Sequence, residues 1–245
     1  MSRFSFGGAG STPPIVKNLI IINVVVFAGT FILSQITGSD MTSKLGMYYF
    51  QSPYFGSWQI VTHMFMHGGF FHLFFNMWAL WMFGRTLETV WGGKRFLFYY
   101  LVTGLGAAFL HQLVQYFEFA PQIAQFKDTY QISTITDSIL NKSFQSTGQF
   151  HKLIINLVTP TVGASGAVFG ILLAFGMLFP NTPLFIIPIP VPIKAKWMVI
   201  GYGALELYLG VTQPGSNIAH FAHLGGMIFG FILIKTWSMS RKKFY

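Results

Sequence analysis

Two side chains that could act as a nucleophile and its base lie in glycine-rich apolar segments, well separated along the chain. Ser165 is part of GASGAVFG at residues 163–170, and His223 is part of AHLGGMIFG at residues 222–230. Small residues recur in both segments at four-residue spacing, a pattern that lets helices in a membrane approach closely. A serine hydrogen-bonded to a histidine is an activated nucleophile. We therefore predict covalent chemistry at Ser165, with His223 as its general base.

The base has a second candidate, because His220 lies three residues before His223 and shares its helix face. Gly226 and Gly230 follow His223 at +3 and +7, on the same face as its imidazole. A face of that kind can approach another helix closely. We therefore favour His223 as the base and expect His220, nearer the outer surface, to be a rim or structural histidine.

Hydrogen-bond donors for a reaction intermediate are available on a third segment. His72 and Asn76 are four residues apart and so lie on one helix face. Together with the backbone N–H of Ser165 they would suit a developing oxyanion, and the N-terminus of the Ser165 helix would add partial positive charge. A nucleophile, a base and oxyanion donors on three segments predict acyl transfer, most simply peptide hydrolysis.

Other chemistries have weaker support in the same sequence. His63 and His67 have the spacing of two metal ligands on a helix, but neither is followed by glutamate as in HExxH. Glu206 and His111 could form an ion relay within apolar segments, yet the chain shows no internal repeat of the kind that many transporters have. We expect Glu206 instead to face the bundle or to snorkel toward a loop.

The composition places these segments in a membrane. Of the 245 residues, 53% are hydrophobic and only 9% are charged, whereas soluble domains average roughly 25% charged residues. The absence of cysteine excludes disulfides and thiolate zinc sites. The net charge of +9 fits lysines and arginines in cytoplasmic loops better than it fits nucleic-acid binding.

Six apolar segments approach the length of about 20 residues that a helix needs to span a bilayer. The sequence therefore predicts an all-α membrane protein, a six-transmembrane-helix bundle. A short N-terminal tail (1–14) precedes the catalytic bundle (15–237), and a basic tail (238–245) follows it. A polar extracytoplasmic loop, about 118–158, includes a short amphipathic helix near 149–157. The six predicted spans are 15–36, 70–87, 96–117, 163–179, 197–211 and 218–237.

The basic residues predict the orientation of this bundle. Six spans place both termini on one side, together with eleven of the 15 lysines and arginines. Cytoplasmic loops are enriched in such residues, so both termini are expected in the cytoplasm. Ser165 and His223 then lie near the outer face at compatible depths. The four basic residues on the outer side are Lys44, Lys127, Lys142 and Lys152.

The combination of motifs resembles the rhomboid family of intramembrane serine proteases, over roughly residues 58–236. Any one motif alone is weakly specific, whereas the three in this order, on predicted spans two, four and six, are highly specific. The motifs are His67…His72-x-x-x-Asn76, Gly163-x-Ser165-Gly166-x-x-x-Gly170 and Ala222-His223-x-Gly225-Gly226-x-x-x-Gly230.

The resemblance implies a role for each of the principal motif residues. Ser165 would be the nucleophile and His223 the general base, in a dyad without a carboxylate. His72 and Asn76 would be the oxyanion donors. His67 would be a structural histidine near the mouth of the second span.

Supporting positions also match the family. Phe169 corresponds to an aromatic ring against the catalytic imidazole, and Gly163 and Gly226 are supporting glycines of their motifs. Glu88 corresponds to an acidic residue with a structural role at the inner end of the second span. The first loop departs from the family, because Gln59 stands where many bacterial members have arginine. This departure concerns loop packing rather than catalysis.

As a protein of this kind, the chain would cleave transmembrane or juxtamembrane segments of membrane proteins. The resemblance implies no cofactor and no metal. It implies membrane-protein substrates and the lipid bilayer as partners, no nucleic acid, and no particular oligomeric state. The N-terminus lacks a transit-like pattern, which favours a multi-pass protein of a bacterial plasma membrane over an organelle.

Overall fold

The structure, a computed structural model, describes residues 11–129, 149–185, 191–213 and 219–241. Most of these residues are helical. The greater part of the predicted N-terminal tail, the middle of the predicted 118–158 loop and the end of the basic tail lie outside the described residues. In chain order the described helices are α1 (Pro14–Thr37), α2 (Met41–Leu45), α3 (Gln59–Thr62), α4 (Phe70–Ala79), α5 (Arg85–Trp91), α6 (Gly93–Thr129), α7 (Gln149–Val158), α8 (Ser165–Leu178), α9 (Ala195–Thr212) and α10 (His220–Arg241).

Short elements connect several of these helices. A 3₁₀ turn, His63–Phe65, follows α3, and a π-helical turn, Leu80–Gly84, carries α4 directly into α5. Two short antiparallel strands, β1 (Pro183–Leu184) and β2 (Ile193–Lys194), precede α9. Strand β2 leads directly into α9, and the first two N–H groups of that helix, of Ala195 and Lys196, donate to the carbonyls of Thr182 (2.9 Å) and Pro180 (3.2 Å).

Two of the described helices are long and apolar enough to cross a bilayer by length and composition. They are α1 and the Gly93–Gln125 part of α6. Helix α8 is apolar but has only 14 residues, about 21 Å at roughly 1.5 Å per residue, which is less than the ~30 Å hydrocarbon core. The count of six spans therefore stays a prediction.

Helix α6 extends beyond the predicted end of the third span. It was predicted to end at 117, whereas the helix continues to Thr129, so the predicted start of the polar loop at 118 is wrong. The reason is that Phe119 is buried and packs with Tyr49 of the first loop and with Leu153 and Leu157 of α7. The short helix near 149–157 is confirmed as α7.

Small residues set the packing of α6, α8 and α10 against one another. A Cβ added to Gly166 of α8 would overlap the Ala107 side chain of α6, and one added to Gly170 would lie 2.7 Å from Thr103. The Tyr99 hydroxyl of α6 donates a 2.8 Å hydrogen bond to the Gly170 carbonyl. These contacts hold the first half of α8, where Ser165 lies, close to α6.

Helix α1 begins at a cap supplied by another helix. Pro13 precedes α1 and makes no side-chain hydrogen bond to its free N–H groups. The Glu88 carboxylate of α5 accepts hydrogen bonds from the backbone N–H groups of Ile15 (2.9 Å) and Val16 (2.7 Å) instead. Both groups would otherwise have no partner at the start of the helix. Glu88 therefore joins α1 to the second predicted span.

Replacing Glu88 with Ala should lower the free energy of unfolding by about 1–3 kcal/mol, because one buried and one partly buried N–H group lose a charged acceptor. Thermal unfolding in detergent measures the loss. Thr89→Ala is the matched control, since Thr89 is exposed and its hydroxyl donates to the Arg85 carbonyl of its own helix. Equal losses in the two variants would show that the cap is not what stabilises this contact.

Gln59 organises the first loop. Its side chain is buried, and its amide oxygen accepts a 3.0 Å hydrogen bond from the Gly56 N–H. Its amide nitrogen donates to the carbonyls of Tyr54 (3.0 Å) and Lys44 (3.3 Å). The residue that departs from the family therefore ties the loop together through backbone contacts.

Candidate active site

Ser165 and His223 meet at the starts of two packed helices. Ser165 is the first residue of α8, His223 lies in the first turn of α10, and Ser165 Oγ is 2.9 Å from His223 Nε2. Phe169 stacks on the imidazole with ring centroids 4.2 Å apart and planes 4° from parallel. Ser165 can donate to Nε2 only when that nitrogen is unprotonated, and the ring proton then lies on Nδ1. The geometry is that of a hydroxyl nucleophile facing a neutral imidazole base.

Close backbone contact between α8 and α10 makes this distance possible. A Cβ added to Gly226 would overlap the backbone carbonyl of Gly166. The two helices therefore touch with no side chain between them, at the residue after Ser165 and about one turn after His223.

Gly226→Ala should separate the helices and disable the site. We expect the free energy of unfolding to fall by about 3 kcal/mol, because a backbone carbonyl cannot move aside as a side chain can. A shift of about 1 Å between reacting groups would cost roughly 10²-fold in rate. Gly201→Ala in α9 is the matched control, since nothing lies within 4 Å of an added Cβ there. Comparable losses in both variants, by thermal unfolding and turnover, would contradict the close-packing argument.

His72 and Gly163 lie beside the reactive serine. Gly163 has φ +131°, a region that side chains rarely adopt, and the position of an added Cβ is 2.9 Å from His72 Nε2 and 3.5 Å from Ser165 Oγ. The His72 ring and the Ser165 hydroxyl therefore face one small volume. The backbone N–H of Ser165 lies at the helix start, where it has no helical acceptor.

Asn76 lies on the same side of α4 as His72. It is buried, and its amide nitrogen donates a 2.8 Å hydrogen bond to the His72 carbonyl. Asn76, His72, Ser165 and His223 all line one cavity of about 1000 Å³. The structure therefore brings together the four residues that the sequence singled out for nucleophile, base and oxyanion donors.

Loop contacts fix the segment that leads to Ser165. Met47 and Thr161 exchange two backbone hydrogen bonds (2.9 and 2.8 Å), and the Gly163 N–H donates to the His63 carbonyl at 2.9 Å. His111 Nε2 lies 3.0 Å from the Thr161 hydroxyl. The first loop and α6 therefore both hold the strand-like segment before α8.

His67 is buried just before α4, edge-on to His72 with ring centroids 5.1 Å apart. Burial, and then the nearby His72, lower the pKa of His67 to about 4, so the ring is neutral at pH 7. His63 Nδ1 lies 2.8 Å from the Gln59 carbonyl. The pair His63 and His67 has no third ligand among the described residues, where the one group of three is Glu206, His220 and His223.

Glu206 gives the site a carboxylate that the sequence analysis did not place there. Its Oε1 is 3.0 Å from His223 Nδ1, and its Oε2 is 2.6 Å from His220 Nδ1. A carboxylate therefore lies beside the imidazole of the expected dyad, and the dyad itself stays a prediction. Of the two positions expected for His220, rim or structural, the structural one fits, because that side chain is only 4% exposed and is hydrogen-bonded to Glu206. Glu206 faces the bundle, which was one of its two expected positions.

The group Glu206, His220 and His223 has the donor types of a metal site, with ligand atoms within 4.8 Å of one another. The 2.6 Å contact between Glu206 and His220 is shorter than the roughly 3.3 Å that separates two ligands of one tetrahedral zinc ion. The arrangement described is that of a carboxylate hydrogen-bonded to imidazole.

The fold and this geometry agree with the comparison to known families. The chain matches the Rhomboid domain over residues 54–121 and 122–240, and it belongs to the rhomboid family. Membership places the protein in a membrane, where rhomboid proteases act on membrane-protein substrates.

Several relatives are similar to most of the chain. It is 24% identical over 238 residues to rhomboid protease AarA of Providencia stuartii, covering 95% of this chain and 74% of that protein. It is 29% identical over 175 residues to rhomboid protease GluP of Bacillus subtilis, covering 71% of this chain and 25% of that protein. It is 26% identical over 182 residues to the mitochondrial rhomboid protein 1 of Saccharomyces cerevisiae, covering 74% of this chain and 42% of that protein. The chain thus spans less than half the length of two of these three relatives.

Proposed function

We propose that this protein is an intramembrane serine endopeptidase that cleaves transmembrane or juxtamembrane segments of membrane proteins. The observation that carries the proposal is the 2.9 Å contact between Ser165 Oγ and His223 Nε2 inside a cavity of an apolar helical bundle. Family membership and relatives that are named rhomboid proteases support it.

In the proposed mechanism Ser165 Oγ attacks the scissile carbonyl carbon while its proton passes to His223 Nε2. His72, Asn76 and the Ser165 N–H hold the resulting oxyanion. The C–N bond breaks as Nε2 returns the proton to the leaving amine, which leaves an ester on Ser165. A water molecule then attacks the ester carbon while His223 Nε2 takes one of its protons. The bond between that carbon and Ser165 Oγ breaks as Nε2 returns the proton to Oγ, which releases the acid product and restores the free serine. No step requires a cofactor or a metal.

The substrate segment enters the cavity sideways from the lipid. Aromatic residues of α4, among them Phe74 and Trp78, and residues of α9, among them Met198 and Tyr202, line the cavity from two sides. A helical substrate ties up its carbonyls in hydrogen bonds, so the segment must unwind locally before Ser165 can attack. The apolar lining suits a membrane-derived segment.

We infer a six-span, multi-pass protein of a bacterial plasma membrane, with both termini in the cytoplasm and the site near the outer face. The distribution of lysine and arginine supports this orientation. Relatives from Providencia stuartii and Bacillus subtilis support the bacterial setting.

Cleavage of a model single-span substrate in liposomes tests the proposal. Mass spectrometry of the products should place the cut within or beside the apolar segment, in the presence of a metal chelator. The full-length protein carrying Ser165→Ala is the control for contaminating proteases. A folded wild-type protein that leaves a panel of such substrates intact would contradict the proposed activity and would favour a binding role.

A further inference from the structure

Glu206 is a buried carboxylate to which the proposed mechanism gives no role. It lies within α9, between apolar neighbours, and is 7% exposed. A carboxylate within a membrane span is costly and is kept where it is paired. Glu206 has two partners, His220 and His223, both from the first turn of α10. The carboxylate therefore faces the reactive site rather than lipid.

One oxygen of Glu206 is anchored and the other faces the base. The 2.6 Å hydrogen bond with His220 Nδ1 fixes Oε2, which leaves Oε1 3.0 Å from Nδ1 of His223. The angle between His223 Nδ1 and Glu206 Oε1 is not that of a hydrogen bond, although the two atoms are close enough for one. Catalytic hydrogen bonds are often poorly aligned before substrate binds and tighten in the complex.

Two contacts position the His223 ring in different ways. Stacking on Phe169 fixes the plane of the imidazole but does not distinguish its two nitrogens. A carboxylate beside Nδ1 does distinguish them, because it favours a proton there and leaves Nε2 free to accept the Ser165 proton. The same carboxylate stabilises the positive charge that the ring acquires when it takes that proton.

We propose that Glu206 is a positioning residue for the reaction: it holds His223 in the tautomer with the proton on Nδ1 and stabilises the imidazolium, while His220 anchors the carboxylate. This inference rests on the proposed function. In the acylation step the Ser165 Oγ–C bond forms and the hydroxyl proton passes to Nε2. The Nδ1 proton stays on the ring and Glu206 stays ionised, so it acts through His223 and takes no proton itself.

Glu206→Gln tests the proposal in liposomes containing a cleaved model substrate. The amide can donate to Nδ1 as well as accept from it, so the wrong tautomer becomes available. We expect kcat to fall by about 10- to 100-fold with KM changed less than about threefold. Glu206→Asp, which keeps the charge, should recover part of the loss. Glu118→Gln on α6 is the matched control and should leave both constants unchanged.

The pH profile separates positioning from a purely structural role. Glu206→Gln removes the negative charge that lies 3.0 Å from the His223 ring and stabilises the imidazolium. The acidic limb of kcat/KM should therefore move to lower pH in this variant. A loss of packing alone would lower kcat/KM at every pH and would leave the position of the acidic limb unchanged. The other titratable groups that line the cavity or contact Glu206 are His63, His72, His111, Tyr202 and His220.

A measurement without substrate keeps this inference separate from the proposed activity. Nuclear magnetic resonance of ¹⁵N-histidine-labelled protein distinguishes the two neutral tautomers of His223. The wild type should show the tautomer with the proton on Nδ1, and Glu206→Gln should show a mixture of the Nδ1 and Nε2 tautomers. Loss of cleavage in Ser165→Ala with unchanged kcat, pH profile and tautomer in Glu206→Gln would overturn the positioning role and keep the protease. A wild type without activity but with the expected change of tautomer would overturn the protease and keep the positioning contact.

Discussion

Ser165→Ala and His223→Ala should each lower the turnover of a membrane substrate by at least about 10⁴-fold, while the protein stays folded. Ser165→Ala removes the nucleophile and His223→Ala removes its base, and because the two act as one unit the losses should be similar in size. The hydrogen bond between their side chains, at 2.9 Å, is the contact that both variants remove. Product formation over long incubations in liposomes measures the residual rate, and thermal unfolding in detergent confirms that each variant is folded.

His220→Gln is the matched control for the base. An amide can keep a hydrogen bond to Glu206, and His220 has no described contact with Ser165. We expect this variant to retain at least about a tenth of the wild-type kcat, because His220 contacts the catalytic base only indirectly, through Glu206. An active His223→Ala variant beside an inactive His220→Gln variant would assign the base to His220 instead.

His72→Ala and Asn76→Ala should each lower kcat by about 10²- to 10³-fold with little change in KM. That magnitude is typical of removing one donor to an oxyanion, because the lost hydrogen bond is strongest in the transition state. Both side chains line the cavity that contains Ser165. Initial rates over a range of substrate densities in the membrane separate kcat from KM.

Phe71→Ala controls for truncating α4 near these positions. Phe71 is 71% exposed and does not line the cavity, so its loss should leave kcat unchanged. Asn76 also bonds the His72 carbonyl, and thermal unfolding of both variants separates a structural loss from a catalytic one. Full kcat in either variant, at normal stability, would remove that residue from the oxyanion site.

Local sequence patterns were sufficient to find the residues that meet in this cavity. Ser165 and His223 could be paired from sequence because each lies in a small-residue motif that permits close helix contact, and the contact of Gly166 with Gly226 has that origin. His72 could be found because it shares a helix face with Asn76. In each case the pattern is confined to one segment, so the identity of the neighbouring helix was not needed.

Glu206 could not be placed in the same way. Its one sequence signal is an acidic residue within an apolar segment, which marks a functional candidate but names no partner. Its partners lie 14 and 17 positions further along the chain, on another helix, and only the packing of α9 against α10 brings them together. The cap that Glu88 provides could not be predicted either, because the N–H groups that it accepts from lie on another helix, α1, distant in sequence.

The position at which α6 ends also could not be predicted from the local sequence. Residues after 117 include polar and charged side chains that are typical of a loop. The helix continues because Phe119 finds apolar partners in the first loop and in α7. Those partners are distant in sequence, so tertiary packing overrides the local signal.

Covalent labelling of Ser165 tests most directly whether this serine is a nucleophile activated by His223. The full-length protein in liposomes would be treated with a fluorophosphonate, which reacts with activated serines, and the modified peptide would be mapped by mass spectrometry. We predict modification at Ser165 with parallel loss of substrate cleavage, and a labelling rate at least about 10²-fold lower in His223→Ala. Substrate cleavage that persists while Ser165 is fully modified, or equal labelling rates with and without His223, would contradict the account.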